Sequence, residues 1–592
     1  MSALASLVRA YDRLATRGEV PAFGYSQEKI GFLISLNVDG TPIGQPIDLR
    51  EGEGRRKLSR MMAVPAAFKR PGVTPRAFFL WDNTAYALGI TASEGKDGST
   101  RLEAFRERHR RELAGTKDEG LLALLKFVEA WTPEEFVRLG WSDEMKDQNI
   151  VFGLESERRQ NIRIHDRPAA RELWAKLSAA ADKVEAACLV TGERGPVARL
   201  HASIKGVWGA QTAGASIVSF NLKAFESYGH EQGDNAPISE AAAFAYTTAL
   251  NRFLEGSSGH RIQIGDASTV FWAEAENTEA AKEAEDIFAS FLAIDEKQET
   301  AKIAGILKAI HDGLPIEGIK PNLPDGVRFF VLALAPNAAR LSVRFYIEDD
   351  FGVIAERYAK HVQRMRIEPP PREAMPSMWR LLIETATLRK SENIVPNLAG
   401  DWMRAILTGA PYPLTLLSTL LMRLRADHDV NALRVAILKS VLIRNFGDSF
   451  KREVPVSLDP ENKEPGYLLG RLFSVYEQIQ TAALGGNVNA TIKDKFYGAA
   501  ASQPRKIFPM LDKGSKPHLS KLGKDRKGYQ IVLERRVGEI METMSPGADP
   551  FPSHLPDKQQ GLFALGYYHQ RNDFFAKNDS KLEKPVIEEP TA

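Results

Sequence analysis

Apolar residues recur along this chain in two rhythms, and the rhythm changes with position. Leu4, Leu7, Val8, Tyr11 and Leu14 share one helical face behind Ser2, a good helix-capping residue. Ile30, Phe32, Ile34, Leu36 and Val38 then alternate with other residues and run into Asp39-Gly40. Alternation ending in Asp-Gly predicts a β-hairpin, because both turn residues must take positive φ. AFFLWDNTAYALG (77–89) predicts a second hairpin turning at Asp82-Asn83-Thr84. From about 98 to 190 the spacing becomes three and four, in LLALLKFVEAW (121–131) and ARELWAKLSAAADKVEAA (170–187), and predicts helices. Residues 188–239 are dense in Gly, Ser and Asn with short apolar bursts. They predict short strands joined by long loops, followed by a helix capped by Ser239. VRFFVLALA, a turn at Pro336-Asn337, and alternating Leu341, Val343, Phe345 and Ile347 predict a further strand pair. Beyond about 375 nearly everything reads as helix, with prolines and glycines at the joints.

The expected fold is therefore α+β, a mixed N-terminal part with antiparallel hairpins followed by a C-terminal helical bundle. A cut near 370–390 divides it into 1–375 and 376–592, and the last dozen residues read as a loose tail. With 592 residues, 43% hydrophobic and 26% charged, the chain has an ordinary globular composition. Arg9 and Arg13 interrupt the N-terminal apolar stretch, so no signal peptide is expected, and no run of 18 apolar residues suggests a membrane span. The single cysteine, Cys188, precludes an internal disulfide or a multi-cysteine metal site and fits a cytoplasmic location.

Signatures of catalysis are absent: there is no phosphate loop, no His-Glu-x-x-His and no Gly-x-Ser-x-Gly. Three His-Asp pairs, at His165, His311 and His428, would need to converge with further ligands to make a metal-dependent nuclease, and they read as surface loops. Cys188 reads as a buried structural thiol. The chain is not expected to be an enzyme or to use a metal or cofactor.

Net charge is only +2, so a nucleic-acid partner must be sought in local charge. Residues 491–536 carry twelve basic against four acidic residues, a local excess of eight. Such a stretch attracts phosphates without reading sequence. A second basic arm spans 50–76, with Arg50, Arg55, Arg56, Lys57, Arg60, Lys69, Arg70 and Arg76. The segment 203–237 differs in kind. It combines Lys205 and Lys223 with the amides Gln211, Asn221, Gln232 and Asn235, with glycines, and with Trp208 and Tyr228, residues that stack or wedge against bases. The plain alternatives are solvated helical faces, an idle surface loop and a series of capped glycine turns.

CLVTGERGPVARLHASIKGVWGAQTAGASIVSFN with AFESYGHEQGDNAPISEAAAFAYTTALN resembles the type I-C CRISPR-associated large subunit. So do RPGVTPRAFFLWDNTAYALG, RLSVRFYIEDDFG, TIKDKFYGAAASQPRKIFP, HLSKLGK and LPDKQQGLFALGYYHQRNDFF, in order from about residue 70 to 575. The resemblance implies a non-catalytic subunit of the Cascade surveillance complex. Its partners would be the CRISPR RNA-bound backbone subunits, the repeat-processing endonuclease subunit, a small subunit, target double-stranded DNA and the helicase–nuclease. It implies recognition of the protospacer-adjacent motif, strand opening and R-loop stabilisation. On that footing Lys205, Gln211, Asn221, Lys223, Tyr228, Gln232 and Asn235 are expected to meet the motif duplex, supported by Lys69, Arg70 and Asn83. Lys493, Lys513, Lys516, Lys521, Lys524 and Lys527 are expected to track the displaced strand. Residues from about 465 to 592 correspond to a small-subunit-like bundle that an internal start would also yield separately. A scaffold without motif readout and a metal-dependent nuclease are the competing expectations.

Overall fold

The computed structural model describes residues 2–52, 57–67, 74–93, 98–179, 184–220, 222–292, 326–372, 376, 378–395, 397–450, 452–485, 490–544 and 549–579. The fold is α+β, as expected, and the chain divides into two compact units. One comprises Ser2–Ala202 and Val218–Ala249, the other Ser203–Ile217 and Leu250–Ala592. The composition break near 375 falls inside the second unit. The glycine-rich segment, read as one piece in the sequence, is shared between the two.

In the first unit, Ser2 caps helix Ala3–Thr16 by accepting from Ala5 N at 3.2 Å, and Leu7, Tyr11 and Leu14 are buried. Strands β1 (Tyr25–Ile30), β2 (Phe32–Leu36), β3 (Ile47–Asp48), β4 (Arg60–Pro65), β5 (Trp81–Asn83) and β6 (Asn149–Leu154) follow. β1 and β4 make a two-stranded ribbon, and the others a sheet in the order β3-β2-β6-β5. The Asp39-Gly40 turn forms, with Gly40 at φ +88°; a Cβ there would lie 2.7 Å from Phe127 N. β2 is buried on both faces rather than alternately. Phe32, Ile34 and Leu36 pack with Phe105, Leu124 and Phe127 of helices Ser99–Glu112 and Glu119–Ala130, while Leu33 packs with Ile30, Val64, Trp81 and Val151. β2 is covered twice because it pairs in parallel with β6, a strand lying in the stretch expected to be helical.

The hairpin expected at 77–89 does not form. β5 ends at Asn83, whose side chain accepts from Tyr86 N at 3.2 Å and starts helix Thr84–Ala87. Asp82 Oδ2 accepts from Phe78 N, so the Asp-Asn-Thr run is a helix start and not a turn. Short strands β7 (Glu185–Ala187) and β8 (Arg194–Pro196) lead into the glycine-rich segment. Ser239 caps the helix after it, accepting from Ala242 N at 3.2 Å.

The second unit holds an antiparallel sheet in the order β12-β11-β10-β9, from β9 (Arg261–Ile264), β10 (Ala267–Glu274), β11 (Arg328–Asn337) and β12 (Arg340–Asp350). The β11–β12 turn lies at Ala338-Ala339, two residues beyond the Pro336-Asn337 expected, because Pro336 and Asn337 still pair with Leu341 and Arg340. Phe271 and Phe329 face Phe288 of helix Thr278–Leu292; Trp272 stacks on Phe330 and Phe253 on the other side. Ten helices from Phe351–Met365 to Asp557–Asp579 follow among the described residues. One apolar core runs from Ile264 through Phe351 and Trp402 to Tyr568, which joins the strands 261–350 to the helices.

Helices Pro465–Leu484 and Asp557–Asp579 approach until their backbones nearly touch. A Cβ on Gly466 or Gly470 would lie 2.0 Å from the carbonyl oxygen of Gln559 or Phe563. Polar pairs line the same contact, including Tyr467 with His569 at 2.9 Å and Tyr567 donating to Glu477 at 2.6 Å.

Candidate nucleic-acid interface

In the second unit, Ile204 and Ala215 exchange two backbone hydrogen bonds, at 2.8 and 2.9 Å, and close a ten-residue loop. Its base is tied down. Lys205 N donates to Asn251 Oδ1 (2.8 Å), Asn251 Nδ2 to Ser203 O (3.1 Å), Arg261 to Gly206 O (2.8 Å), and Trp208 N to Ser268 Oγ (2.9 Å). Gly206 takes φ +85°, and a Cβ there would meet Leu254 O at 3.0 Å. Ile204 and Val207 point into the core, whereas Lys205, Trp208 and Gln211 are exposed.

In the first unit, Ser227 pairs with His230 around Tyr228 and Gly229. Both central residues have positive φ, +53° and +78°, as in a type I′ turn. Tyr228 is 98% exposed. A bulky side chain in the left-handed region carries strain that the surroundings must hold. Asn235 holds it: its Oδ1 accepts from Ser227 N (3.0 Å), and its Nδ2 donates to His230 O (3.1 Å) and Gln232 O (3.0 Å). Gln232 Oε1 accepts from Arg199 Nε at 2.6 Å, and Gly233 packs so tightly that a Cβ would lie 2.0 Å from Ala198 O. Sequence reasoning missed Arg199; nothing in its spacing marks it as the partner of Gln232.

The expected motif-binding residues are thus divided. Lys205 and Gln211 belong to the second unit. Lys223, Tyr228, Gln232, Asn235 and Asn83 belong to the first. Lys223 is exposed at the start of a short 3-10 turn. Asn83 is a helix cap and Asn235 a turn staple, so both amides already have backbone partners. Lys69, Arg70 and Asn221 lie outside the described residues.

The basic C-terminal segment folds mainly as helix Pro504–Asp525, followed by Lys527–Thr543. On the first of these, Lys506, Lys513 and Lys524 fall within about 20° of one line at 100° per residue, with Lys516 and Lys521 flanking it. All five are exposed, and Ile507, Phe508, Leu511 and Leu522 are buried on the opposite face. Only Lys516 among the five has an ion-pair partner among the described residues, Asp512 at 3.8 Å. Lys527 starts the next helix, exposed, and Lys493 is half-buried on helix Ile492–Ser502. Lys506 was not singled out from sequence, although its spacing of seven and eighteen from Lys513 and Lys524 places it on their face.

The arm at 50–76 is largely neutralised where it is described. Asp48 pairs with both Arg50 and Lys57 at 2.8 Å, and Arg50 also reaches Glu144. These hydrogen bonds, Arg50's foremost, hold the Asp48 carboxyl well below the usual range. Arg55 and Arg56 lie outside the described residues.

His165 is not in a surface loop. It is fully buried, and burial lowers its pKa to about 4. His428 is half-buried at the left-handed C-cap of helix Leu414–Asp427, and His311 lies outside the described residues. Among the described residues no group of three or more His, Cys, Asp or Glu side chains could hold a metal ion. Cys188 is buried and accepts from Ser239 N at 3.3 Å. Burial raises its pKa, but hydrogen bonds from Ser239 and Thr191 outweigh this and bring it to about 7. No described helix is long and apolar enough to cross a membrane.

These features define an α+β protein with, among the described residues, a carboxylate-free exposed loop at 201–217 and a lysine-lined helix at Pro504–Asp525. The chain belongs to the CRISPR-associated protein (Cas_Csd1) family, whose model matches residues 7–575. No curated protein matches the chain.

Proposed function

We propose that this protein is the non-catalytic large subunit of a type I-C, CRISPR RNA-guided Cascade effector. The family match across residues 7–575 carries the reading, and the lysine face of helix Pro504–Asp525 supports it. In this division of labour the guide reads sequence by base pairing, while the protein reads a short flanking motif and backbone shape. Each unit offers its own contact to duplex DNA: the loop 204–215 in the second, with Lys205 on a phosphate and Gln211 at a base edge, and the turn at 227–235 in the first, with Lys223 on a phosphate and Gln232 at a base edge. Asn235 acts by holding the turn. Lys506, Lys513, Lys516, Lys521 and Lys524 follow the displaced strand over about 27 Å. The CRISPR RNA-bound backbone subunits, the repeat-processing endonuclease subunit, the small subunit and the helicase–nuclease are its partners. Helices between Pro465 and Asp579 pack on one another through Gly466, Gly470 and Gly566, which suits a separately made small subunit. A purified complex is then expected to contain a short C-terminal species by mass spectrometry.

The test is binding of the assembled complex to a target duplex library randomised at the flanking bases. Wild type is expected to show a sharp flanking preference. Gln211→Ala with Gln232→Ala should relax it at a cost of about 1–3 kcal/mol per base contact, and Lys205→Ala with Lys223→Ala should weaken all sequences alike. A wild type without preference would make the protein a scaffold.

A further inference from the structure

Trp208 is the most exposed of the eight tryptophans, at 66%, and five of the others are buried. An indole this exposed leaves most of its π-face open to a stacking partner. The backbone beneath it is tied down by hydrogen bonds. Trp208 N is bonded to Ser268, Ser268 Oγ donates to Gln263 Oε1 (3.1 Å), and the loop closes at Ile204–Ala215. Its neighbours in the chain are Val207, which is buried, and Gly209, which has no side chain. The indole is therefore presented without a flanking side chain, on a backbone already ordered.

The chemistry of the loop favours a nucleobase. Residues 201–217 contain His201 and Lys205 and no carboxylate. The exposed positions beside Trp208 are Lys205, Gln211, Thr212 and small residues rather than an apolar patch of the kind a protein partner covers. Resting on the nucleic-acid reading above, we infer that Trp208 is a stacking platform for one unpaired nucleobase of a single strand, with Lys205 taking an adjacent phosphate. Stacking of this kind tolerates any base, because every base has a π-face. The loop then grips the first unpaired nucleotide of an opened strand, next to the duplex that it meets through Lys205.

The test uses full-length protein carrying Trp379→Phe, which removes the other exposed tryptophan, and oligothymidylate and oligouridylate of twenty nucleotides as probes. Binding of either is expected to quench the Trp208 emission and protect it from acrylamide. Trp208→Ala should weaken binding about 5- to 150-fold, the range of one lost stack, while Trp208→Phe keeps most of the affinity. An unchanged melting temperature would show that the Ala variant folds; if it does not, the emission arm and the Phe variant decide. Binding without any change in emission, or an Ala variant of full affinity, overturns the inference. In the assembled complex, Trp208→Ala should lower affinity for target duplexes of every flanking sequence. Quenching in a protein whose complex lacks a flanking-base preference would keep the platform and remove the motif reader; a preference with silent Trp208 would do the reverse.

Discussion

Tyr228 and Asn235 show how much a single residue's role depends on what its backbone is doing. In the sequence both belong to one polar, glycine-rich run, and an asparagine there reads equally as a base reader or a turn former. The structure gives Asn235 three backbone partners and leaves Tyr228 almost wholly in water on a left-handed residue. That conformation costs roughly 1–2 kcal/mol for an ordinary side chain and little for asparagine. Tyr228→Asn is thus expected to stabilise the protein by about 1 kcal/mol in a urea titration while weakening DNA binding by the complex. A variant that loses stability would show that the tyrosine is packed rather than presented. Asn235→Ala should lower stability and motif preference together, since it acts through the turn.

At the scale of elements, the basic segment was legible from its local charge excess, and the structure then set its lysines along one face of helix Pro504–Asp525. Replacing Lys513, Lys521 and Lys524 with glutamine should leave the melting temperature unchanged, since all three are exposed. It should make the log–log salt dependence of single-strand binding shallower by about 2, roughly 0.7 per phosphate contact. An unchanged slope would remove this face from the nucleic-acid path. The contact between Pro465–Leu484 and Asp557–Asp579 was not legible, because a glycine within a helix looks like a weak point until its neighbour is known. Here Gly470→Ala should destabilise by about 3 kcal/mol, read as a fall in the thermal midpoint, since the new methyl meets backbone and not a movable side chain. Strand β6 was missed for a related reason. A short apolar run such as IVFGL fits strand or helix, and pairing with β2 decided it.

For the whole molecule, near-neutral net charge conceals buried bases in both units. His109 and His165 lie in the first, His361 and His569 in the second. Burial holds His109 and His361 at about 3 and His165 and His569 at about 4. His109 Nδ1 lies 2.8 Å from Phe105 O, and its Nε2 accepts from Leu80 N at 2.9 Å, a pair of roles that only the neutral ring can fill. Each histidine is neutral when folded but protonates near pH 6.5 when unfolded. The unfolded state therefore binds more protons below that pH, and stability falls as pH drops from about 6.5 toward the folded values. At pH 5 the loss is about 2 kcal/mol per histidine. The melting temperature should fall steeply between pH 7 and 5, and a flat profile would mean that these rings ionise in the folded state.

Local chemistry carried the helical C-terminal half, the capped helix starts at Ser2 and Ser239, the Asp39-Gly40 turn, the strand pair at 327–348, the basic C-terminal segment and the family resemblance. Each depends on residues close in sequence, whose spacing or hydrogen-bonding reach settles the outcome. Tertiary structure alone decided that β2 is covered on both faces, that 77–89 begins a helix, and that the glycine-rich segment divides between two units. It also decided that Asn235 supports what Tyr228 presents. Those outcomes follow from pairing, close approach and burial between residues far apart in the chain, energies that no local pattern contains.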